Sequence, residues 1–286
     1  MKKPKDFTCK YADYNQLTPE FVAPLGLKIP DLYLDAEGMA KAAAYVKNVN
    51  RSRYCKLPFD TCVEAENLGA PIKYDRSPLG PRKAKDLLEN PLDFLDLPPL
   101  DPRKGRLAKV LRACTLLKEQ GEIPVLEVRG LFDVMNSLID IPKVMMALTK
   151  KGEIEKIAEK MKADLMTYYK AAEETECKFF MYSDASAGLS LIGPRFSEKI
   201  AQAFTLPLIQ EWMEKMRERC VLQLCPKTSF LLTGLDMARW KALSVDKELT
   251  YFDAYLSHPA VRLTGQRCSR EISHPSGGRV HFLELI

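Results

Sequence analysis

Long hydrophobic runs are missing from this sequence of 286 residues. No segment approaches the ~18 consecutive apolar residues that a membrane-spanning helix needs. The basic start from Met1 to Asp6 is not followed by the apolar stretch of a signal peptide. These two absences predict a cytoplasmic protein with no membrane partner. The 46% apolar content predicts a chain that can bury a large core.

Charge of one sign is not concentrated anywhere in the chain. The 43 basic and 38 acidic residues are interspersed, so no basic stripe predicts a nucleic-acid partner. Close cysteine pairing is also absent, because the eight cysteines lie apart at positions 9, 55, 62, 114, 177, 220, 225 and 268. A chain of this length needs no disulfide framework. Most of these thiols are therefore predicted to be reduced, buried and inert.

Short apolar runs alternate with amphipathic segments along most of the chain. The predicted strands are 53–60, 123–130, 178–184, 219–225, 241–246 and 261–266, with a weaker one at 279–285. The predicted helices are 35–48, 105–120, 153–175, 195–217, 229–240 and 248–256. Strands that alternate with helices of this size indicate parallel βαβ units. Such units build either a Rossmann-like sheet or a (β/α)8 barrel.

The ends of the predicted strands favour the barrel. Each of six apolar runs closes on a polar or reactive residue, namely Asp60, Arg129, Asp184, Cys225, Asp246 and Gln266. In a barrel, catalytic groups collect at the C-terminal ends of different strands. The GxGxxG turn of a dinucleotide-binding Rossmann domain is absent. We therefore predict an α/β protein with one (β/α)8 TIM barrel over residues 1–286, including an N-terminal extension over about residues 1–50.

Cys225 ends the predicted strand 219–225, directly before Pro226. Side chains alternate along a strand, so Gln223 and Cys225 share one face while Cys220 and Leu224 share the other. A chelating pair of Cys220 and Cys225 is excluded on one regular strand. Gln223 and Cys225 can belong to one site.

Several of these segments together resemble the uroporphyrinogen decarboxylase superfamily and, within it, the cobalamin-linked methyltransferase branch. The matching stretches lie in family order at 57–69, 128–132, 182–188, 192–196, 222–225, 243–246 and 263–266. The resemblance covers about residues 20 to 266. It implies a TIM barrel with its cleft at the strand C-termini. The family strands at the two ends of the chain are hard to match, so we expect a barrel that is incomplete there.

The resemblance implies two alternative chemistries. Decarboxylase members bind substrate carboxylates through an arginine-rich N-terminal motif, but the matching region from Tyr11 to Pro30 contains no arginine. Methyltransferase members carry His-x-Cys at the end of the strand that matches 219–225, and a later cysteine completes a zinc site. Zinc with an open position deprotonates a bound thiol, which makes a strong nucleophile. Here Cys225 occupies the cysteine position and Gln223 occupies that of histidine.

The zinc site implied by the resemblance is incomplete in this sequence. An amide oxygen such as that of Gln223 is a poorer zinc ligand than imidazole. We predict Cys225 and Cys268 as metal ligands, with His274 or His281 as a third ligand. The alternative is that the histidines lie at the surface and Cys268 is unused.

The resemblance also assigns roles to other residues. Asp60 and Asp184 are predicted to orient substrate, and Arg129 to supply positive charge to an anionic ligand. Predicted substrate- or cofactor-binding residues are Glu64, Ser186, Gln223 and Asp246. The alternative roles are structural. The two aspartates can cap helices, Arg129 can pair with Glu127 on its own face, and the glutamates after the first strand can lie on a solvated helix face.

Three functions follow from these residues as alternatives. The first is a corrinoid-dependent methyltransferase that moves methyl between a methylcobamide on a partner corrinoid protein and a small acceptor such as a thiol, assisted by zinc. The second is uroporphyrinogen decarboxylase, an enzyme of porphyrin biosynthesis, with Asp60 as its central acid. The third is a non-catalytic barrel that binds a cobamide or tetrapyrrole. The oligomeric state stays open.

Overall fold

Five parallel strands form the central sheet of the protein. The structure is a computed structural model that describes Phe7 and residues 17–77, 79–150 and 152–286. Part of the predicted N-terminal extension, including Cys9 and the beginning of the arginine-free region, lies outside the described residues. No helix in the described parts of the chain is long and apolar enough to cross a membrane.

The strands and helices follow the predicted alternation closely. The strands are β1 (Cys55–Leu57), β2 (Ile72–Lys73), β3 (Arg82–Lys83), β4 (Pro124–Arg129), β5 (Phe179–Ser183), β6 (Val221–Leu224), β7 (Ala238–Ser244), β8 (Leu263–Thr264) and β9 (Arg279–Leu285). The helices are α1 (Pro19–Val22), α2 (Ala36–Val49), α3 (Val63–Asn67), α4 (Gly105–Glu119), α5 (Leu131–Leu138), α6 (Ile141–Thr149), α7 (Glu153–Glu174), α8 (Leu189–Ile200), α9 (Leu206–Lys215), α10 (Pro226–Gly234) and α11 (Tyr251–Ser257).

The order of the central sheet is β1-β4-β5-β6-β8, and every neighbouring pair is parallel. The register places Glu127 of β4 opposite Met181 of β5, and Met181 opposite Gln223 of β6. Within the described residues the five strands do not close into a complete barrel. This agrees with the incompleteness that was expected at the first and last strands.

One predicted barrel strand lies outside the parallel sheet. The segment predicted as strand 241–246 belongs to β7, which pairs antiparallel with β9 over seven residue pairs. Strands of a parallel sheet are buried on both faces and are apolar throughout. β7 instead carries Arg239 and Lys241 and alternates between exposed and half-buried positions. This composition suits a hairpin with one solvated face, so β8 takes the place next to β6.

The central sheet buries both of its faces, in two separate apolar clusters. We call the face of Leu126, Phe180 and Leu222 the outer face, because it packs with the main set of helices. The opposite, inner face carries Val125 and Phe179. On the inner face, Phe252 of α11 packs against Phe179, with 4.9 Å between ring centroids. Helix α11 and the C-terminal segment thus cover a face that a closed barrel would enclose.

Several stretches of helix differ from the prediction. Helix α10 ends at Gly234, and the last residues of the predicted helix 229–240, from Ala238 on, belong to β7. Helices α5 and α6 were not predicted; they are short and separated by only Ile139 and Asp140. The predicted helix 195–217 consists of α8, a π-helical turn (Ala201–Thr205) and α9. Inside α8, Gly193 has a φ of 76° directly before Pro194, and this pair breaks the regular geometry.

Candidate active site

Polar side chains of the inner face gather where the parallel strands end. Lys56, Glu127 and Gln223 lie on this face of β1, β4 and β6, in positions that alternate with the outer-face residues. Arg129 and Cys225 follow two residues further along their strands. We call these five residues the carboxyl-end cluster. Their position is the one where catalytic groups of α/β barrels collect.

Arg129 is paired inside the protein. Its Nη2 atom lies 3.0 Å from Oε1 of Glu127, and its Nη1 atom lies 3.7 Å from Oδ2 of Asp133. Glu127 also forms an ion pair with Lys56, with 2.5 Å between Nζ of the lysine and Oε2 of the glutamate. Burial opposes the ionisation of Glu127, but Arg129 and Lys56 outweigh it and lower the pKa of this carboxyl to about 2. The charge of Arg129 is therefore balanced by acids, as in the ion-pair alternative.

Glu64 is buried beside the cluster and is not on a solvated helix face. It lies on α3 with 1% of its surface exposed. Its Oε1 atom accepts a hydrogen bond of 3.0 Å from the backbone N–H of Arg129, whereas no described residue bonds its Oε2 atom. Burial raises the pKa of Glu64 to about 7, against the lowering effect of hydrogen bonds and of Arg129. This carboxyl can take up or release a proton near neutral pH.

Asp60 is held by an arginine that the sequence reasoning missed. Its Oδ1 atom accepts hydrogen bonds of 3.0 Å from Nη2 of Arg106 and from the backbone N–H of Cys62. Its Oδ2 atom accepts a second bond from Arg106. Arg106 also donates from Nε to Glu66 at 2.5 Å. The only signal for this ion pair in the sequence is an arginine next to the apolar Leu107 on a half-buried helix.

Asp184 and Asp133 cap each other's backbone segments. Asp184 accepts hydrogen bonds from the N–H groups of Phe132 and Asp133, at 3.3 and 2.9 Å, in the first turn of α5. Asp133 accepts from the N–H groups of Ala185 and Ser186, at 3.3 and 2.9 Å. Burial, together with Asp133, raises the pKa of Asp184 well above its ordinary range. The structure thus shows the capping role for Asp184, toward a neighbouring helix.

Gln223, Cys225 and Cys268 come together at the ends of β6 and β8. Nε2 of Gln223 donates to the carbonyl oxygen of Arg267 at 2.8 Å, and its buried Oε1 atom has no partner in the described part of the chain. Cys225 is half-buried, and Cys268 is close enough to interact with it electrostatically. Burial raises the pKa of Cys225 to about 12; a hydrogen bond from the backbone of Lys227 opposes this effect, and Cys268, Glu127 and Asp133 add to it.

The side chains around Cys225 do not fit a three-ligand zinc site. Among the residues that the structure describes, no three His, Cys, Asp or Glu side chains are arranged to hold a metal ion. His274 is exposed. The ring of His258 binds the carbonyl oxygen of Ala254 at 2.9 Å, and this histidine lines a cavity of about 260 Å³ with Cys220, at the opposite end of β6. Cys225 and Cys268 are brought near each other, but no third donor from the described part of the chain joins them.

Asp246 does not follow a strand of the central sheet. Its predicted place at the site depended on β7 being a barrel strand, and β7 is a hairpin strand instead. Asp246 is exposed, and its Oδ1 atom accepts from the N–H of Glu248 at 3.0 Å in the following turn. Asp246 therefore does not share the strand-end position on which its predicted role was based.

Polar side chains at the C-terminal ends of parallel strands are the arrangement that carries the active sites of α/β barrels. The profile of the uroporphyrinogen decarboxylase (URO-D) family matches residues 19–266. The chain belongs to the uroporphyrinogen decarboxylase family, and this confirms the resemblance and the fold class.

Two relatives indicate the branch of this family, and a solved structure shows the same fold. The chain is 26% identical over 235 residues to Methylcobamide:CoM methyltransferase MtbA of Methanosarcina mazei, and 25% identical to the protein of that name from Methanosarcina acetivorans. Each alignment covers 81% of this chain and 69% of the relative. A solved methyltransferase from Methanosarcina mazei has the same fold, with a TM-score of 0.65 at 18% identity over 82% of this chain and 68% of that one.

Proposed function

We propose that the chain is a corrinoid-dependent methyltransferase that moves a methyl group between a methylcobamide and a small acceptor. The observation that carries this proposal is the alignment, over 81% of the chain, with proteins named methylcobamide:CoM methyltransferases. The carboxyl-end cluster supports it, because polar and ionisable side chains lie at the edge of the sheet where this fold places its chemistry. The methylcobamide is a substrate, presented by a corrinoid protein.

The transfer itself is a nucleophilic displacement at the methyl carbon. The acceptor's electron pair forms the new bond to carbon, the carbon–cobalt bond breaks, and both of its electrons remain on cobalt. The protein has to hold the acceptor in line and manage one proton. Gln223 offers a buried oxygen as a hydrogen-bond acceptor, and Glu64 offers a carboxyl whose pKa lies near 7. No step is assigned to zinc, because the donor set around Cys225 does not hold it.

Decarboxylation of uroporphyrinogen is less well supported by the geometry. Asp60 would serve as the central acid, but both of its carboxylate oxygens accept hydrogen bonds from Arg106, and one of them also accepts from the N–H of Cys62. Arg106 is itself committed to Asp60 and Glu66. Arg106 is therefore not free to bind the carboxylates of a tetrapyrrole.

The proposal is tested by incubating the purified chain with methylcob(III)alamin and candidate acceptors. Cob(I)alamin formation is followed by absorbance, and a ¹³C-labelled methyl group identifies the product by NMR. We expect Glu64→Gln to slow the transfer by at least about tenfold if this carboxyl handles the proton. Glu119→Gln, on the exposed side of α4, is the matched control and should keep the full rate. Absence of demethylation with every acceptor, together with release of carbon dioxide from uroporphyrinogen, would contradict the proposal.

A further inference from the structure

The cavity of about 260 Å³ beside His258 lies at the other end of β6 from the carboxyl-end cluster. It is lined by the residues just before β6, the end of α11 and the residues just before β8. Basic side chains and aliphatic side chains share this lining, and none of the lining residues is acidic. Its volume is near the lower end of the ~300–1,000 Å³ range of small-molecule sites. The basic residues are Arg219, His258 and Arg262, and the aliphatic ones include Val221, Leu256 and Val261.

Arg262 is fixed in the wall of the cavity by the end of α9. Its Nη2 atom donates to the carbonyl oxygens of Met213 and Met216, at 3.1 and 2.9 Å. Its Nε atom is buried and has no partner in the described part of the chain. Arg262 also acts on Glu173, but this acid is shared with Arg217 and does not line the cavity. Main-chain carbonyl groups thus hold the guanidinium in place without neutralising its charge.

Arg219 and His258 are less engaged than Arg262. Arg219 is exposed, and its side chain has no hydrogen-bond or ion-pair partner among the described residues. The ring of His258 is half-buried and donates from Nδ1 to the carbonyl oxygen of Ala254 at 2.9 Å. A carbonyl oxygen only accepts hydrogen bonds, so this contact fixes the proton on Nδ1 and leaves Nε2 for a ligand.

The charges around Cys220 show an excess of cations at this end of β6. Cys220 is a buried member of the lining. Burial raises the pKa of its thiol to about 11 and Glu173 adds to this effect, whereas Arg217, Arg262 and Lys178 oppose it. One acid and three cations therefore act on this sulfur. An excess of positive charge beside a partly closed, low-dielectric cavity favours an anionic ligand.

We propose that this cavity binds a small amphipathic anion, a carboxylate or phosphate on an apolar body, with its acidic group on Arg219 and Arg262. Arg262 supplies a fixed cation. Arg219 keeps all of its donors free, and a planar guanidinium matches two oxygens of either acidic group with two parallel hydrogen bonds. The aliphatic side chains of the lining cover the apolar body of the ligand. Because the cavity and the carboxyl-end cluster lie at opposite ends of β6, this site stands or fails independently of the proposed methyl transfer.

Binding is measured by ¹⁹F NMR with three probes of similar shape. These are 4-(trifluoromethyl)benzoate, 4-(trifluoromethyl)phenyl phosphate and the neutral 4-(trifluoromethyl)benzamide. We expect at least one anion to bind about tenfold more tightly than the amide, and added salt to weaken the anion alone. The tighter anion identifies the acidic group that the site prefers. Equal affinities for the three probes, or binding of none of them, would overturn the proposal.

Removing one cation tests the role assigned to the arginines. Arg219→Gln changes an exposed side chain without partners, so the chain should fold normally and bind the anion at least about tenfold more weakly. Arg103→Gln is the matched control, because this arginine is also exposed and lies outside the cavity. It should keep the full affinity. Equal losses in the two variants would show a response to net charge alone and would overturn the site.

Filling the cavity tests where the probe is bound. Leu256→Trp adds a larger ring to the lining and should abolish binding of the anion, whereas Leu87→Trp, at a position outside the cavity, should not. Circular dichroism and urea denaturation establish that both variants are folded. A folded Leu256→Trp chain that binds the anion with unchanged affinity would place the probe elsewhere on the protein, and the cavity would then have no part in binding.

Discussion

Arg106 organises the loop that follows β1. It is 5% exposed, it bonds both carboxylate oxygens of Asp60, and it also donates to Glu66. The ring of Tyr74 lies 5.5 Å from the guanidinium and binds the same glutamate through its hydroxyl. A buried charge is tolerated only when its partners remain in place. The shape of this loop beside Glu64 therefore depends on one side chain of α4.

Replacing Arg106 by Met should lower the stability of the protein. The substitution leaves the carboxylate of Asp60 buried without its partner, which costs about 3–5 kcal/mol. Urea denaturation followed by circular dichroism measures the loss. Arg112→Met, at the exposed end of an ion pair on the same helix, should change the stability by less than about 0.5 kcal/mol. Equal losses in the two variants would show that the buried pair adds nothing.

Glu64 should make the stability depend on pH in the opposite sense to an ordinary ion-paired carboxylate. Its pKa is about 7 in the folded chain against 4.5 for the free group, so the folded state holds the proton more tightly. The unfolding free energy contributed by this proton falls as the pH rises from 4.5 to 7 and is level above that. The total decrease in the free energy of unfolding over this pH range is roughly 3 kcal/mol. Glu64→Gln, which mimics the protonated form, removes this fall.

The measurement compares wild type with Glu64→Gln by urea denaturation at pH 5 and at pH 8. We expect the variant to gain stability relative to wild type at the higher pH. Glu119→Gln provides the matched carboxyl-to-amide change at the surface. A difference between wild type and Glu64→Gln that stays constant with pH would disprove the proposed protonation of Glu64.

At the scale of secondary-structure elements, α5 and the end of β5 are joined by two aspartates, each of which accepts hydrogen bonds from the backbone of the other's segment. Asp184 binds the first turn of α5, and Asp133 of α5 binds the turn after β5. This exchange requires close approach at Gly130, whose N–H donates to the carbonyl oxygen of Ser183 at 2.8 Å. A Cβ atom at Gly130 would lie 2.3 Å from the hydroxyl of Tyr182 and 2.4 Å from Cβ of Asp184. Only glycine fits there.

Gly130→Ala should therefore separate α5 from the turn after β5. Overpacking of this kind costs typically about 1–3 kcal/mol, and both contacting side chains are buried and cannot move away freely. Thermal and urea denaturation measure the loss. Gly121→Ala adds a methyl group that meets no atom within 4 Å, and its positive φ alone costs about 1 kcal/mol. A Gly130→Ala chain as stable as the Gly121→Ala chain would rule out the close contact.

The elements of the parallel sheet could be predicted from sequence because each is a continuous apolar run, as in the strand that contains Phe179 and Phe180. The shared face of Gln223 and Cys225 followed from strand alternation alone. The antiparallel pairing of β7 with β9 could not be predicted, because the sequence of an isolated strand does not show which strand it pairs with. Arg106 and its pairing with Asp60 were also missed, because an ion pair between a loop and a distant helix leaves no periodic signal.

At the scale of the whole molecule, the central sheet separates two of the apolar clusters, and the inner one packs against the segment that carries Cys268. On the inner face Phe252 packs on Tyr54, with 4.7 Å between ring centroids. The hydroxyl of Tyr54 donates to the carbonyl oxygen of Ser269 at 2.5 Å, next to Cys268. The outer cluster reaches the residues after β8 through Leu283 of β9, fifteen residues further along the chain than Cys268. The two clusters should therefore contribute alike to stability but unequally to the site.

Phe252→Ala and Phe204→Ala test this separation. Both rings are fully buried, Phe252 in the inner cluster and Phe204 in the outer one, so each truncation should cost about 3–5 kcal/mol. Only Phe252→Ala removes the support of Tyr54 and, through it, of the segment that carries Cys268. Native-state labelling with a thiol reagent, read out by mass spectrometry at each cysteine, should therefore accelerate at Cys225 and Cys268 in Phe252→Ala alone. Equal acceleration in Phe204→Ala would show that the labelling reports global opening, and that the inner cluster has no particular role in holding these two thiols.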